Sequence, residues 1–131
     1  MVRRALFKVR QQAVIIHRRK VLLLKYSDYT RKKTKWDFPG GHVVHGEDAF
    51  ESLRREVEEE TGLIITDAKP MRVLTYDKGY LVVFAAKAKG DGVKLSKEHT
   101  DYAWVTSTEA EKLDLASSSL KDDIRNAIGY F

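Results

Sequence analysis

A chain of 131 residues is long enough to bury a core as one domain without disulfides or structural metals. It has no cysteine, which excludes a disulfide framework and any thiolate metal site. The formal charge of +5 is unevenly spread: residues 1–35 carry 12 of the 24 Lys and Arg beside one acid, Asp28, whereas the other 96 residues carry 12 bases and 18 acids.

The start, MVRRALFKVRQQAVII, lacks the long apolar stretch and small-residue cleavage site of a secretory leader. No apolar run approaches membrane-spanning length. The expectation is a cytoplasmic protein folded as a single domain over residues 1–131, with no linker and no repeat.

In chain order, Ala5-Leu6-Phe7 through Ile15-Ile16 reads as extended, and His17-Arg18-Arg19-Lys20 is a polar turn into Val21-Leu22-Leu23-Leu24, so the first two strands form a hairpin. Arg3, Arg4, Lys8 and Arg10 either alternate outward for solubility or supply cations to an anionic ligand. Ser27 to Lys35 is polar and basic and reads as an exposed loop. Trp36 to Val44 then leads through Gly40 and Gly41 into a helix, with Glu47 or Asp48 at its N-cap and Gly62 as the left-handed residue that ends it. Leu63-Ile64-Ile65 begins a strand-like segment to Thr75, interrupted or held at a sheet edge by Pro70. Tyr80 to Ala86 is a near-continuous apolar run, as in a strand buried on both faces. Lys89-Gly90-Asp91-Gly92 turns the chain. Tyr102 to Val105 reads as a last strand, Ser107 as the cap of a short helix, and Leu120, Ile124, Ala127, Ile128 and Phe131 as the stripe of an amphipathic terminal helix. This order predicts an α/β fold in which a mixed sheet is covered by helices on both faces.

The stretch GHVVHGEDAFESLRREVEEETGL, Gly41 to Leu63, carries the chemistry. Glu56, Glu59 and Glu60 stand at i, i+3 and i+4, on one side of a helix, where carboxylates repel unless a hard cation with oxygen ligands sits among them. A charge run on a helix is usually a solvated face, and helical phase decides against that here. With about 100° per residue and Glu56 at zero, Ala49, Leu53, Val57 and Phe50 fall at about 20° to 120°, the apolar stripe. Glu60 falls at about 40°, inside that stripe, whereas Glu51, Arg54 and Glu58 lie on the far side. A carboxylate aimed inward is costly unless paired or metal-bound.

Gly41, Glu47, Arg55, Glu56, Val57, Glu59, Glu60, Gly62 and Leu63 meet every fixed position of the pattern G-x5-E-x7-R-E-U-x-E-E-x-G-U, with U a bulky aliphatic residue. The chain thus resembles the Nudix hydrolases (MutT-like), and Trp36-Asp37-Phe38-Pro39-Gly40 is similar to the usual lead-in. The resemblance implies the Nudix fold, an α/β/α sandwich, and a hydrolase that cleaves a pyrophosphate bond in a nucleoside di- or triphosphate or a related derivative, with Mg²⁺ or sometimes Mn²⁺. By position it implies Glu56, Glu59, Glu60 and the Gly41 carbonyl as metal ligands. Arg55 becomes the residue that orients the glutamates, with Glu47 as its partner.

The general base is either a signature glutamate such as Glu59, or Glu98 in Lys97-Glu98-His99…Trp104, which resembles the glutamate-histidine lead-in to the last strand in many relatives. His42, His45 and His99 are suited to acid–base chemistry, but a lone loop histidine is more often structural, and none is given a role. Substrate choice lies outside the signature. Tyr80 stands where a tyrosine accompanies dinucleoside polyphosphate hydrolysis, and a sanitising hydrolase of free nucleoside triphosphates fits as well. Lys25 is a candidate for phosphate, as are Arg10 and the 31–35 bases; Tyr80, Trp36 or Tyr76 are candidates to stack on a base. Two other readings stand beside these. One is an RNA 5′-pyrophosphohydrolase using the basic N-terminal third, although no helix-turn-helix, zinc-finger or RNA-binding aromatic signature is present. The other is a non-catalytic nucleotide-binding module, disfavoured because all three glutamates are intact. Many relatives form dimers, so the resemblance also admits a homodimer.

Overall fold

The fold is built on a hairpin that opens like a fork. In the computed structural model, which describes residues 6–26 and 35–131, strand β1 (Lys8–His17) turns through Arg18 and Arg19 into β2 (Lys20–Tyr26). Both turn residues have positive φ, 50° and 64°, as a two-residue turn between twisted strands requires. The two strands pair only at the tip, Ile16 with Val21 and His17 with Lys20, and then diverge. The short strands β3 (Trp36–Asp37) and β4 (Gly40–His42) fill the gap: β3 pairs with β2 at Leu24 and Lys25, and β4 pairs with β1 at Arg10 to Gln12. The paired glycines therefore enter the sheet at the crotch of the fork.

Beyond the fork, β1 pairs in parallel with β6 (Gly79–Ala88), which pairs with the edge strand β5 (Ile65–Tyr76). On the other side β2 also pairs with β7 (His99–Val105). The edge position explains how β5 tolerates Pro70, beside which the register shifts between Pro70 and Arg72.

Apolar residues at alternate positions make two cores, one on each face. Ala13, Ile15, Leu22 and Leu24 meet Leu53 and Val57 of helix α1 (Ala49–Thr61). Val14, Val21, Leu23, Val83 and Ala85 meet Ala110 of helix α2 (Ser107–Ala110) and Ile124 and Ala127 of helix α3 (Leu120–Ile128). The predicted mixed sheet between helices is thereby observed.

Several local expectations shift. Thr106, not Ser107, caps α2, through a reciprocal capping box with Glu109 that also holds the Glu109 carboxyl below its usual range. Phe131 lies beyond α3 and is exposed, with the ammonium groups of Lys69 and Lys87 over its ring. Ala49 is exposed at the start of α1 rather than part of its buried stripe. Arg3, Arg4 and residues 27–34, nearly all of the expected exposed loop from Ser27 to Lys35, fall outside the described residues. No helix among the described residues is long and apolar enough to cross a membrane.

Candidate active site

The signature helix α1 is held at both ends by local chemistry. Asp48 caps it, its carboxylate accepting from the backbone N–H groups of Phe50 and Glu51, each at 3.1 Å. Gly62 ends it at φ 75°, donating to the Glu58 carbonyl. The phase argument holds at its sharpest point: Leu53 and Val57 are buried, and Glu60 among them is only 4% exposed. Glu56 is half-buried at the edge of the stripe, and Glu58 and Glu59 face solvent.

Arg55 organises the outer part of the site. Its Nε and Nη2 donate to the two Glu47 carboxylate oxygens at 2.9 and 3.1 Å, a bidentate fork. Its Nη1 reaches Glu56 at 3.0 Å and Glu59 at 3.3 Å. Hydrogen bonds from Arg55, and then from Ser52, hold the Glu47 carboxyl below its usual range, and in return Glu47 first, then Glu56, raises the Arg55 guanidinium. One guanidinium thus ties together three carboxylates of the signature. The positive charge between Glu56 and Glu59 is Arg55 itself, and among the described residues no three carboxylates or imidazoles already converge as a cage.

Glu60 is turned inward, away from that lattice. Its Oε1 accepts the Gly40 backbone N–H at 2.9 Å, and its Oε2 lies 3.2 Å from His99 Nε2. Burial pushes the Glu60 carboxyl up to about 8, the Gly40 N–H opposes that rise, and the charges of Glu56, Glu98 and Glu59 add to it. Burial pushes the His99 imidazole down. Both shifts favour neutral partners, a protonated acid facing a neutral ring.

The two glycines have different neighbours. A Cβ on Gly41 would lie 2.4 Å from Glu56 Cδ and 2.5 Å from its Oε2, so the carboxylate rests directly against the glycine backbone. A Cβ on Gly40 would lie 2.0 Å from the Gln11 carbonyl oxygen. Glu56, Glu59, Glu60 and Glu98 carry hard carboxylate oxygens that do not converge on one point in this structure; oxygen donors of this kind suit a divalent cation such as Mg²⁺.

Glu98 is exposed in the turn before β7, and its charge acts on both Glu60 and His99. Lys25 and Tyr80 are not brought together. Lys25 lies on the α3 side of β2 with its ammonium 5.2 Å from the centre of the Trp36 ring. Tyr80 lies on the α1 side of β6, 38% exposed and edge-on to Phe7 at 5.3 Å. Phe7 also lines a cavity of about 600 Å³ with Val9, His42, Val44, His45 and Glu47, so the cleft abuts the Arg55 lattice. Arg10, expected to face outward or toward an anion, has a buried Nε without a hydrogen-bond partner among the described residues. Sequence reasoning passed over His99. The visible signal was its place one residue after Glu98, but its burial against Glu60 depends on how β7 meets α1.

Comparison with known proteins bears on the family and the fold. A family model described as the NUDIX domain matches residues 8–124. The chain is 35% identical over 103 residues to the nucleoside triphosphatase NudI of Escherichia coli O81, covering 66% of this chain and 72% of that protein. Among solved structures, a NUDIX-family hydrolase from Clostridium perfringens superposes with a TM-score of 0.82 at 17% identity, covering 97% of this chain and 99% of that one. A C. elegans Ap4A hydrolase superposes with a TM-score of 0.74 at 24% identity, covering 92% and 96%. These two likenesses speak for the fold. Family match, relatives and intact signature together make this chain a member of the Nudix family, a hydrolase of phosphoric anhydride bonds.

Proposed function

We propose that this protein is a Mg²⁺-dependent pyrophosphohydrolase of free nucleoside triphosphates, with Mn²⁺ as an alternative cation. The observation that carries the reading is the arrangement around α1: a buried Glu60 next to Gly40, an outer lattice of Glu56 and Glu59 bridged by Arg55, and Glu98 close enough for its charge to act on Glu60. The curated relatives named nucleoside triphosphatase NudI support the substrate class.

Glu56, Glu59, Glu60 and the Gly41 carbonyl would hold the cation. When bound, it supplies positive charge to the phosphate oxygens and to the attacking water. The chain's own residues do the rest. Arg55 fixes Glu56 and Glu59 in orientation and neutralises part of their mutual repulsion. Glu59 or Glu98 takes the proton of the water. Both are exposed, so each is open to a water molecule. The cleft lined by Phe7, Val9 and Val44 beside Lys8, His42 and Glu47 offers room for a nucleoside, within the usual range of about 300–1,000 Å³ for such sites. Tyr80 extends its aromatic wall, and Lys25, on the other face of the sheet, serves a phosphate only at the margin of the substrate. The protein acts as a single domain in this scheme.

The test is a phosphate- and pyrophosphate-release panel with Mg²⁺. It covers nucleoside triphosphates, dinucleoside polyphosphates, ADP-ribose and a 5′-triphosphate RNA, with Glu60→Gln as the blank. Strong, EDTA-sensitive release from the triphosphates alone is expected. Preferential cleavage of the RNA, falling steeply with salt, would replace this reading with the 5′-end hydrolase.

A further inference from the structure

The C-terminal turn of α1 leaves backbone carbonyls without helical partners. Here the segment before β7 satisfies them. Lys94 donates its N–H to the Thr61 carbonyl at 2.8 Å, and Ser96 donates to the Glu60 carbonyl at 3.1 Å. Three residues later the chain touches Glu60 again, this time through a side chain. The His99 ring is fully buried, its Nε2 3.2 Å from Glu60 Oε2 and its Nδ1 3.4 Å from Ser96 Oγ. The Ser96 hydroxyl also accepts the Glu98 backbone N–H at 3.4 Å. Glu98 therefore lies on a short arch whose two feet, Ser96 and His99, both stand on Glu60.

We propose that His99 is a positioning residue that clamps Glu60 against Gly40 and ties the arch carrying Glu98 to the signature helix. The geometry gives Glu60 one oxygen on the Gly40 N–H and the other against the imidazole, so its carboxylate plane is set from two sides. The same contact fixes the end of the arch, so the inner carboxylate and the loop carboxylate are placed by one side chain. A partner that orients a metal-binding carboxylate typically changes metal affinity about 10- to 100-fold when removed. That part of the inference rests on the metal-site reading above; the clamp itself does not.

Two readouts separate the two. The first is hydrogen exchange of the Lys94 and Ser96 amides in metal-free protein, comparing wild type with His99→Ala and His99→Gln. The alanine variant should lose protection at both amides, and the glutamine variant, whose amide reaches toward Glu60, should recover much of it. Unchanged protection in a folded His99→Ala protein would overturn the clamp. The second readout is Mn²⁺ affinity by calorimetry, together with kcat and KM for a nucleoside triphosphate. His99→Ala should bind Mn²⁺ about 10- to 100-fold more weakly and lose kcat more than KM. Glu98→Gln should cost far less in that background than in wild type, because the loop carboxylate is already displaced. Equal losses from Glu98→Gln in both backgrounds would overturn the link between His99 and Glu98. If wild type bound no Mn²⁺ yet the exchange difference held, the metal-site reading would fall and the clamp would stand. Should His99→Ala fail to fold, His99→Gln and Ser96→Ala carry the comparison, with smaller shifts of the same sign expected for each.

Discussion

The carboxylates of α1 and its entry loop live under two regimes. Glu47 and Glu56, partly buried, and Glu59, exposed, surround Arg55, which is itself 35% exposed, and there water and salt still screen the charges. Glu60 is one turn from Glu56 yet sits in the core, its solvation replaced by one backbone N–H and one buried ring. The outer group costs little to maintain and contributes little to stability; its value is orientation. The inner group is costly to ionise, and its properties depend on who its neighbours are. Substitutions on the two sides should therefore fail differently.

The largest separation is expected at Glu60. Glu60→Gln keeps an oxygen for the Gly40 N–H but cannot ionise to meet a cation, so activity should fall more than about a hundredfold, beyond the loss typical for a mere orienting partner. Stability of the metal-free protein should move the other way at high pH. Burial raises the Glu60 carboxyl to about 8, from an ordinary value of 4.5. The native state then holds a proton that the unfolded chain has lost, so the contribution is complete below 4.5 and disappears as pH rises through 8. Glutamine cannot ionise, and the variant should lack that decline. Thermal unfolding in EDTA at pH 5, 7 and 9 measures it. Parallel curves for wild type and variant would show that Glu60 is not the source.

The two glycines offer the next contrast. In Gly40→Ala the new methyl meets backbone, at 2.0 Å from the Gln11 oxygen and 2.9 Å from Gln12 Cα, and cannot be accommodated without parting β4 from β1. A loss of stability of about 3 kcal/mol or more is expected, at or above the usual range for overpacking. In Gly41→Ala the methyl meets the end of the Glu56 side chain, which can swing away. That variant should fold nearly normally and lose activity, because Glu56 has left its seat. Urea unfolding beside kcat/KM distinguishes the two. Equal destabilisation in both variants would mean that Glu56 is as rigid as the strand.

The outer regime was legible in the sequence and the inner one only in part. Arg55, Glu56, Glu59 and Glu47 are fixed by spacing on one helix and its entry loop, and a 3.6-residue period is enough to bring them to one side. The same period put Glu60 inside the apolar stripe, and the terminal stripe from Leu120 to Ile128 was equally plain. What faces Glu60 could not be read this way. His99 lies 39 positions later in sequence and reaches Glu60 only because β7 pairs along β2 and the segment before it caps the helix. Lys25 and Tyr80 show the converse: each is a reasonable ligand residue on its own, and strand alternation sends them to opposite faces. Capping by Thr106 in place of Ser107 shows the usual one-residue slack where either hydroxyl serves.

Arg55 should show the smallest effect on folding and a clear one on catalysis. Its guanidinium makes a two-point contact with Glu47 and still has Nη1 for Glu56 and Glu59. Lysine carries the same charge but cannot reproduce a planar fork. Arg55→Lys should thus change stability by less than about 1 kcal/mol, as for exposed ion pairs generally, while kcat falls about 10- to 100-fold, as when a partner that orients metal-binding carboxylates is lost. Arg55→Ala should lose more activity than Arg55→Lys, because the repulsion between Glu56 and Glu59 is then uncompensated. Raising the salt concentration should narrow the gap between alanine and lysine, since it screens repulsion but cannot restore orientation. If salt instead restored Arg55→Lys to wild-type turnover, the role of Arg55 would be charge alone, and the contrast between an orienting outer shell and a desolvated inner carboxylate would collapse into a single electrostatic effect.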